Sequence, residues 1–149
     1  MVDLTTHPPR RWSDKIAGYV WLPRLIDKIR AFQSGNLGAY AYPSFLDRVF
    51  LKQCHLSPAQ IEQAVREHAR DEAIGGFVRR HTNHTQERIE ALNARFTRRW
   101  RLALRTLDCD DGYMKGLGYP IPQFLQPFIW RMYRKWAAKK ASATKLSWL

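Results

Sequence analysis

Between residues 22 and 33 the apolar side chains Leu22, Leu25, Ile26, Ile29 and Phe32 recur at steps of three and four, with Pro23 near the front and Gly35 just behind. This pattern marks a helix that buries one face. Proline lacks the N–H that a first turn leaves unpaired, and glycine takes the left-handed cap. The same grammar then repeats along the chain. After GNLGAYAYP, the segment SFLDRVFLKQ turns Leu46, Val49 and Phe50 inward. Ser57, Pro58 and Gln60 make a capping box for a third helix with Ile61, Ala64, Val65 and His68 on its stripe. Asp71 is expected to cap a fourth, which carries Ile74, Phe77, Val78 and His81 inward and holds Gly75 and Gly76 in its middle. Each glycine costs about 1 kcal/mol relative to alanine there, so either another element packs very close or the helix is weak.

Thr85 is suited to cap the fifth and longest helix, with Ile89, Leu92, Phe96, Trp100, Ala103 and Leu107 on one face. The stretch DCDDGYMKGLGYPIP, residues 108–122, reads as a loop with an acidic turn that is either solvated or paired to nearby arginines. A last helix is expected from near Pro127, with Phe128, Ile129, Met132 and Trp136 inward and Arg131, Arg134 and Lys135 outward. No alternating run is long enough for a sheet. The predicted fold is therefore all-α, a compact bundle of five to six helices forming a single helical domain over 1–149. An extended arm spans 1–13, and a basic terminal helix and tail span 123–149.

A chain of 149 residues with 45% hydrophobic content can bury a core without metal or disulfide. Two cysteines, Cys54 and Cys109, are too few for a disulfide scaffold and fit a reducing compartment. The start MVDLTTHPPRRWSD has no apolar run of the kind an export signal needs, and no window reaches the roughly 18 apolar residues of a membrane span. A cytoplasmic location is expected.

The net charge of +12 is unevenly distributed: 10 basic against 8 acidic residues through position 74, then 15 against 5. An anionic partner should therefore meet the second half. On the fifth helix, Arg88, Arg95 and Arg99 are spaced by seven and four residues, one line able to follow successive phosphates. Arg98, Arg101 and Arg105 extend the arginine coat, with Arg79 and Arg80 before it and Arg131, Arg134 and Lys135 after. Arginine offers phosphate two parallel donors and stacks on bases. The leading expectation is a non-catalytic binder of RNA or the ribosome, since no helix-turn-helix signature favours duplex DNA. The terminal helix also has the composition of one lying on an anionic membrane surface.

A second grouping, Tyr19, Trp21, Arg24, Asp27, Lys28, Tyr40, Tyr42 and Asp47, sets aromatics beside ionisable side chains, as a small-molecule pocket or enzyme site does. The alternative for the same residues is an interhelical ion pair, with Asp47 reaching Arg24 or Lys28 and aromatic packing around it. Other chemistries find no support. His68, Asp71, Glu72, His81 and His84 match no zinc spacing. A calcium loop starting at Asp108 would need oxygen ligands where Gly112 and Tyr119 stand. GYMKGLG lacks the setting of a phosphate loop, and no GxSxG elbow occurs. No cofactor or metal is expected.

The residues DLTTHPPR, Leu22-Pro23-Arg24, Asp27-Lys28, Asn36 to Gly38 and Leu46-Asp47 resemble the pattern of a family of small bacterial proteins classed as a domain of unknown function. The likeness spans roughly residues 3–99. It implies no activity. Where many members would carry a cysteine-proline pair before the leucine and aspartate, this chain has Ser44 and Phe45.

Overall fold

The computed structural model describes residues 2–114 together with Leu125, Pro127, Phe128 and Arg131. The chain falls into two compact units, 1–115 and 116–149. Among the described residues the first unit is predominantly α. A two-residue hairpin, β1 (Lys15–Ile16) and β2 (Tyr19–Val20), precedes α1 (Leu22–Gln33), α2 (Phe45–Gln53), α3 (Pro58–Glu67), α4 (Asp71–Thr82) and α5 (Gln86–Asp110). The hairpin is antiparallel, with Lys15 opposite Val20 and Ile16 opposite Tyr19. Strands this short carry no alternation, so the sequence pattern left them unmarked.

α1 is the central element and packs against α3, α4 and β1. Leu22, Leu25, Ile26 and Ile29 are fully buried. Its C-terminus closes as expected: Gly35 has φ 76°, its N–H donates to the Phe32 carbonyl, and the Asn36 N–H donates to the Ala31 carbonyl at 2.8 Å. These two bonds satisfy carbonyls that the last turn would otherwise leave unpaired. Phe32 departs from expectation. It is 49% exposed and packs against the Tyr42 ring at 5.3 Å, because that ring, not the core, lies beside it.

The reciprocal capping box of Ser57 and Gln60 starts α3, and Thr85 accepts the Arg88 N–H to start α5. Asp71 is not the cap of α4. Arg70 holds that position, and Asp71 is the first helical residue, its carboxylate turned to cations of other elements. The two glycines of α4 have different surroundings. A Cβ on Gly75 would lie 2.5 Å from Ile16 Cγ2 and 2.9 Å from Ala17 Cβ, so the hairpin seats directly on the helix. One on Gly76 would meet only the end of Arg80.

α5 holds the hairpin through Asn93, which accepts from the Val20 N–H at 3.1 Å and donates to the Gly18 carbonyl at 2.8 Å. Its inward face is Ile89, Leu92, Phe96, Trp100, Ala103 and Leu104. Trp100 leaves helical geometry (φ −109°, ψ 16°), kinking the helix there. The expected loop at 108 begins later, since α5 runs through Asp110. The arm docks as well: the Leu4 N–H bonds the Asn36 carbonyl at 2.9 Å, and Leu4 is buried. His81 is exposed instead of inward, its ring 3.1 Å from the His55 carbonyl.

Candidate functional site

Ionisable side chains cluster at the N-terminal half of α1 and are buried there, against the usual preference of charged groups for water. Arg24, Asp27 and Lys28 are 2%, 6% and 3% exposed, and Asp47 is fully buried. A charge so placed is tolerated only when paired and hydrogen-bonded. Lys28 sits 2.5 Å from Asp47 Oδ2, donates to Ser44 Oγ at 3.1 Å and lies 3.4 Å from the Ala41 carbonyl. Asp47 also accepts from Trp21 Nε1 at 3.0 Å and from the Ser44 N–H at 2.7 Å, the second bond belonging to the capping box that starts α2. Burial lowers the Lys28 ammonium from its ordinary value, and Asp47 works against that shift.

Arg24 pairs with Asp111 at 2.6 Å while its guanidinium stands 5.6 Å from the Trp21 ring and 5.7 Å from the Tyr40 ring. Tyr40 donates to the other oxygen of Asp111 at 2.7 Å. Burial first, and that hydrogen bond second, push the Tyr40 hydroxyl above its usual range. Arg10 grips Asp27 with Nε and Nη2 and reaches Asp71, and Arg11 grips Asp108 in a second fork. Burial opposes the Arg10 charge, but Asp27 and Asp71 outweigh it. Arg30 Nη1 lies 2.7 Å from Asp71 Oδ1, a charge contact without the alignment of a hydrogen bond.

Of the two readings of the acidic turn, the structure shows pairing to arginines, not solvation. Asp108 is 2% exposed and the Asp111 side chain 3%, because both are the counterions of buried or half-buried arginines. The sequence does not mark Arg10, Arg11 and Asp71 as members of this network, and for Asp108 and Asp111 it suggests arginine partners without saying which. Their partners lie as far as 97 residues away, and no local pattern announces such a pairing.

Of the candidate pocket residues, Trp21, Arg24, Asp27, Lys28, Tyr40 and Asp47 are brought together, and their polar groups are turned to partners within the protein except Arg24 Nε, which is buried without one among the described residues. Tyr42 donates to Glu62 at 3.1 Å, its hydroxyl raised by burial and then by that carboxylate. Tyr19 lies elsewhere, its hydroxyl 2.8 Å from Thr82 Oγ1 and 3.1 Å from His84 Nδ1. Trp21 carries φ 69°, a left-handed backbone that a bulky side chain rarely adopts.

The arginines of α4 and α5 occupy the opposite environment. Arg79, Arg80, Arg88, Arg95, Arg98, Arg99, Arg101 and Arg105 are all exposed. Among the described residues no carboxylate forms a salt bridge with any of them. At 100° per residue Arg88, Arg95 and Arg99 fall within about 40° of one another around the axis, with rises of about 10 and 6 Å between them. All three precede the kink at Trp100, so they share one straight segment. Arg99 lies 5.7 Å from the Trp100 ring, and Arg79 donates to Gln86 at 3.3 Å. Arg134 and Lys135 lie outside the described residues. Arg131 is helical and exposed, and Phe128, expected inward, is 60% exposed. Among the described residues no helix is long and apolar enough to cross a membrane, and no group of histidine, cysteine and acidic side chains could hold a metal ion.

Fold and site together define a small helical domain organised around buried arginine–aspartate and lysine–aspartate pairs, with a separate arginine face on its longest helix. The family model Domain of unknown function (DUF5069) matches residues 6–113, and the chain belongs to that family. The match runs past residue 99, where the sequence likeness was placed, and takes in the acidic turn that supplies Asp108 and Asp111. No curated protein matches the chain.

Proposed function

We propose that the protein is a cytoplasmic binder of an anionic macromolecule, RNA or the ribosome before duplex DNA, and that the face of α5 carrying Arg88, Arg95 and Arg99 makes the contact without chemistry of its own. One observation carries this reading. Five cations (Arg10, Arg11, Arg24, Lys28 and Arg30) are matched inside the fold by five carboxylates (Asp27, Asp47, Asp71, Asp108 and Asp111), so the +12 of the whole chain belongs to the remaining side chains. Much of it lies on α4 and α5 as exposed guanidiniums without carboxylate partners. Glu87 and Glu90, in the same segment of the helix, sit about 80–120° and about 140–180° around the axis from the three arginines. RNA is favoured over duplex DNA because guanidinium planes stack on unpaired bases as well as pairing with phosphate.

Binding of a fluorescent single-stranded RNA, read by anisotropy between about 50 and 300 mM salt, tests this, since phosphate contacts release counterions and affinity then falls steeply with salt. Replacing Arg88, Arg95 and Arg99 together by glutamine should weaken binding to unrelated sequences alike and flatten the log–log salt slope by about 2. Equal affinity at both salt limits rejects the reading.

A further inference from the structure

Ser44 and Ser57 begin consecutive helices with the same reciprocal capping box, yet their hydroxyls are used differently. Ser57 Oγ accepts from the Gln60 N–H at 3.2 Å and donates to Gln60 Oε1 at 3.0 Å, so both its roles are filled by its own box. Ser44 Oγ accepts a long bond from the Asp47 N–H at 3.5 Å and a shorter one from Lys28 at 3.1 Å. Among the described residues its own O–H has no acceptor. Capping needs no lysine at the cap oxygen. Lys28 is buried, bonded to Asp47 behind it, and set 5.6 Å from the ring of Trp21, whose backbone is held in the left-handed region. Strain of this kind persists where the surroundings over-determine it, and it concentrates at functional sites. Ser44 is half-buried as a residue, whereas Lys28 and Asp47 are buried. Lys28 donates both to Ser44 Oγ and to Asp47, so a hydroxyl, a lysine and a carboxylate stand in one hydrogen-bonded row through which protons can pass.

We propose that Ser44 is a nucleophile for acyl transfer, with Lys28 as the group that takes its proton and Asp47 as the group that receives one from Lys28. Ser44 Oγ attacks the carbonyl carbon of an ester. As the Oγ–C bond forms, the Ser44 proton passes to Lys28 and a proton of the Lys28 ammonium passes to Asp47, leaving Lys28 cationic and Asp47 neutral. Collapse of the tetrahedral adduct breaks the bond to the leaving alcohol, which takes a proton back from Lys28 as Asp47 returns its own. Water then cleaves the acyl-serine by the same relay. Of the N–H groups in the first turn of α2, that of Asp47 donates to Ser44 Oγ and that of Arg48 to the Ser44 carbonyl, which leaves that of Leu46 as a donor that can meet a developing oxyanion. Lys28 and Asp47 contribute here through their ion pair, so this use of the buried network is independent of the arginine face.

The test is treatment of the full-length protein with an alkyl fluorophosphonate, which a serine oxygen attacks at phosphorus with loss of fluoride, followed by peptide mapping. The expected result is an adduct on Ser44 and none on Ser57, absent in Ser44→Ala and slowed at least about tenfold in Lys28→Arg, which keeps the charge but not the relay. Failure of Ser44 to label above Ser57, or an unchanged rate in a folded Lys28→Arg variant, overturns the proposal. A second variant guards against a probe that does not fit: the thiol of Ser44→Cys should alkylate with iodoacetamide at a pH midpoint below the ordinary value of about 8.5, because an adjacent ammonium and a helix N-terminus favour thiolate. A midpoint at or above that value overturns the electrostatic basis of the proposal. Mapping separates this site from Cys109 and from Cys54, whose buried thiol is pushed up to about 12.

Discussion

Arg24 and Arg95 are the same residue type on two helices of one small domain, and they illustrate opposite solutions to carrying positive charge. Arg24 is sealed between Trp21 and Tyr40 with Asp111 as its counterion, whereas Arg95 stands in water with no carboxylate beside it. The buried set is charge-balanced, five against five. The remaining charges carry the whole +12. A buried charge must find its partner within the fold because desolvation is expensive, and a surface charge is free to wait for an external one. The first set therefore specifies how the arm, α1, α2, α4 and the end of α5 come together. The second set, the arginines of α4 and α5, faces solvent.

The largest effect expected from breaking this contrast is at Asp47. Asp47→Ala strands the Lys28 ammonium and removes the acceptor of Trp21 Nε1 and of the Ser44 N–H, so it should destabilise the domain by about 3–5 kcal/mol, measured by urea unfolding. Replacing the pair together, Lys28→Met with Asp47→Leu, should recover part of that loss, since an apolar pair leaves no charge unpaired. A loss of under about 1 kcal/mol for the single variant would mean that water reaches Lys28 and that the buried set is not sealed.

Next in size is the pair of glycines on α4, which separates a site fixed by packing from one that is free. Gly75→Ala forces a methyl into Ile16 and Ala17, and should cost about 1–3 kcal/mol. Gly76→Ala meets only the flexible end of Arg80, and should stabilise the helix by up to about 1 kcal/mol through lower unfolded-state entropy. Thermal unfolding of the two variants side by side checks both signs.

These two glycines also show how far the sequence could be read. Their position in a helix was legible, and so was the choice they posed between close packing and weakness. That the answer differs between neighbours was not, because it depends on a hairpin some sixty residues earlier. Features carried by local spacing came through: the apolar face of α1 apart from Phe32, the closure at Gly35, the capping box at Ser57 and the cap at Thr85. Asp71 was misread as a cap because an acid before an apolar run looks like one, yet its carboxylate serves Arg10 and Arg30. For Asp108 and Asp111 the acidic stretch left two readings open, a solvated turn or pairing to nearby arginines. Composition measures the polarity of a stretch and says nothing of a counterion at Arg11 or Arg24.

A smaller effect is expected from pH. Burial, then Arg88 and His55, lower the His84 imidazole below its ordinary value near 6.5, and its Nδ1 lies by the Tyr19 hydroxyl. A lowered base favours the neutral form in the folded state. Its contribution to stability is therefore fully present above the ordinary value and is lost as pH falls from there through the folded value. His84→Gln should flatten the slope of stability against pH just below 6.5 and leave stability at pH above about 7.5 little changed. An unaltered slope would show that Arg88 is screened from His84 by solvent.

The smallest effect should come from the arginine row, and its smallness is informative. Arg88, Arg95 and Arg99 are exposed, and substitutions of such residues ordinarily change stability by no more than about 0.5 kcal/mol. The triple glutamine variant lowers the net charge from +12 to +9. It relieves repulsion between groups spaced about 10 and 6 Å along the helix, near or within the Debye length of about 8–10 Å at ordinary salt. Its melting temperature in low salt should therefore equal or slightly exceed that of the parent, and the difference should vanish as salt is raised. A clear loss of stability would mean that these guanidiniums hold the fold together as Arg24 does, and the division between a balanced interior and an unbalanced face would fail at the helix on which the binding proposal rests.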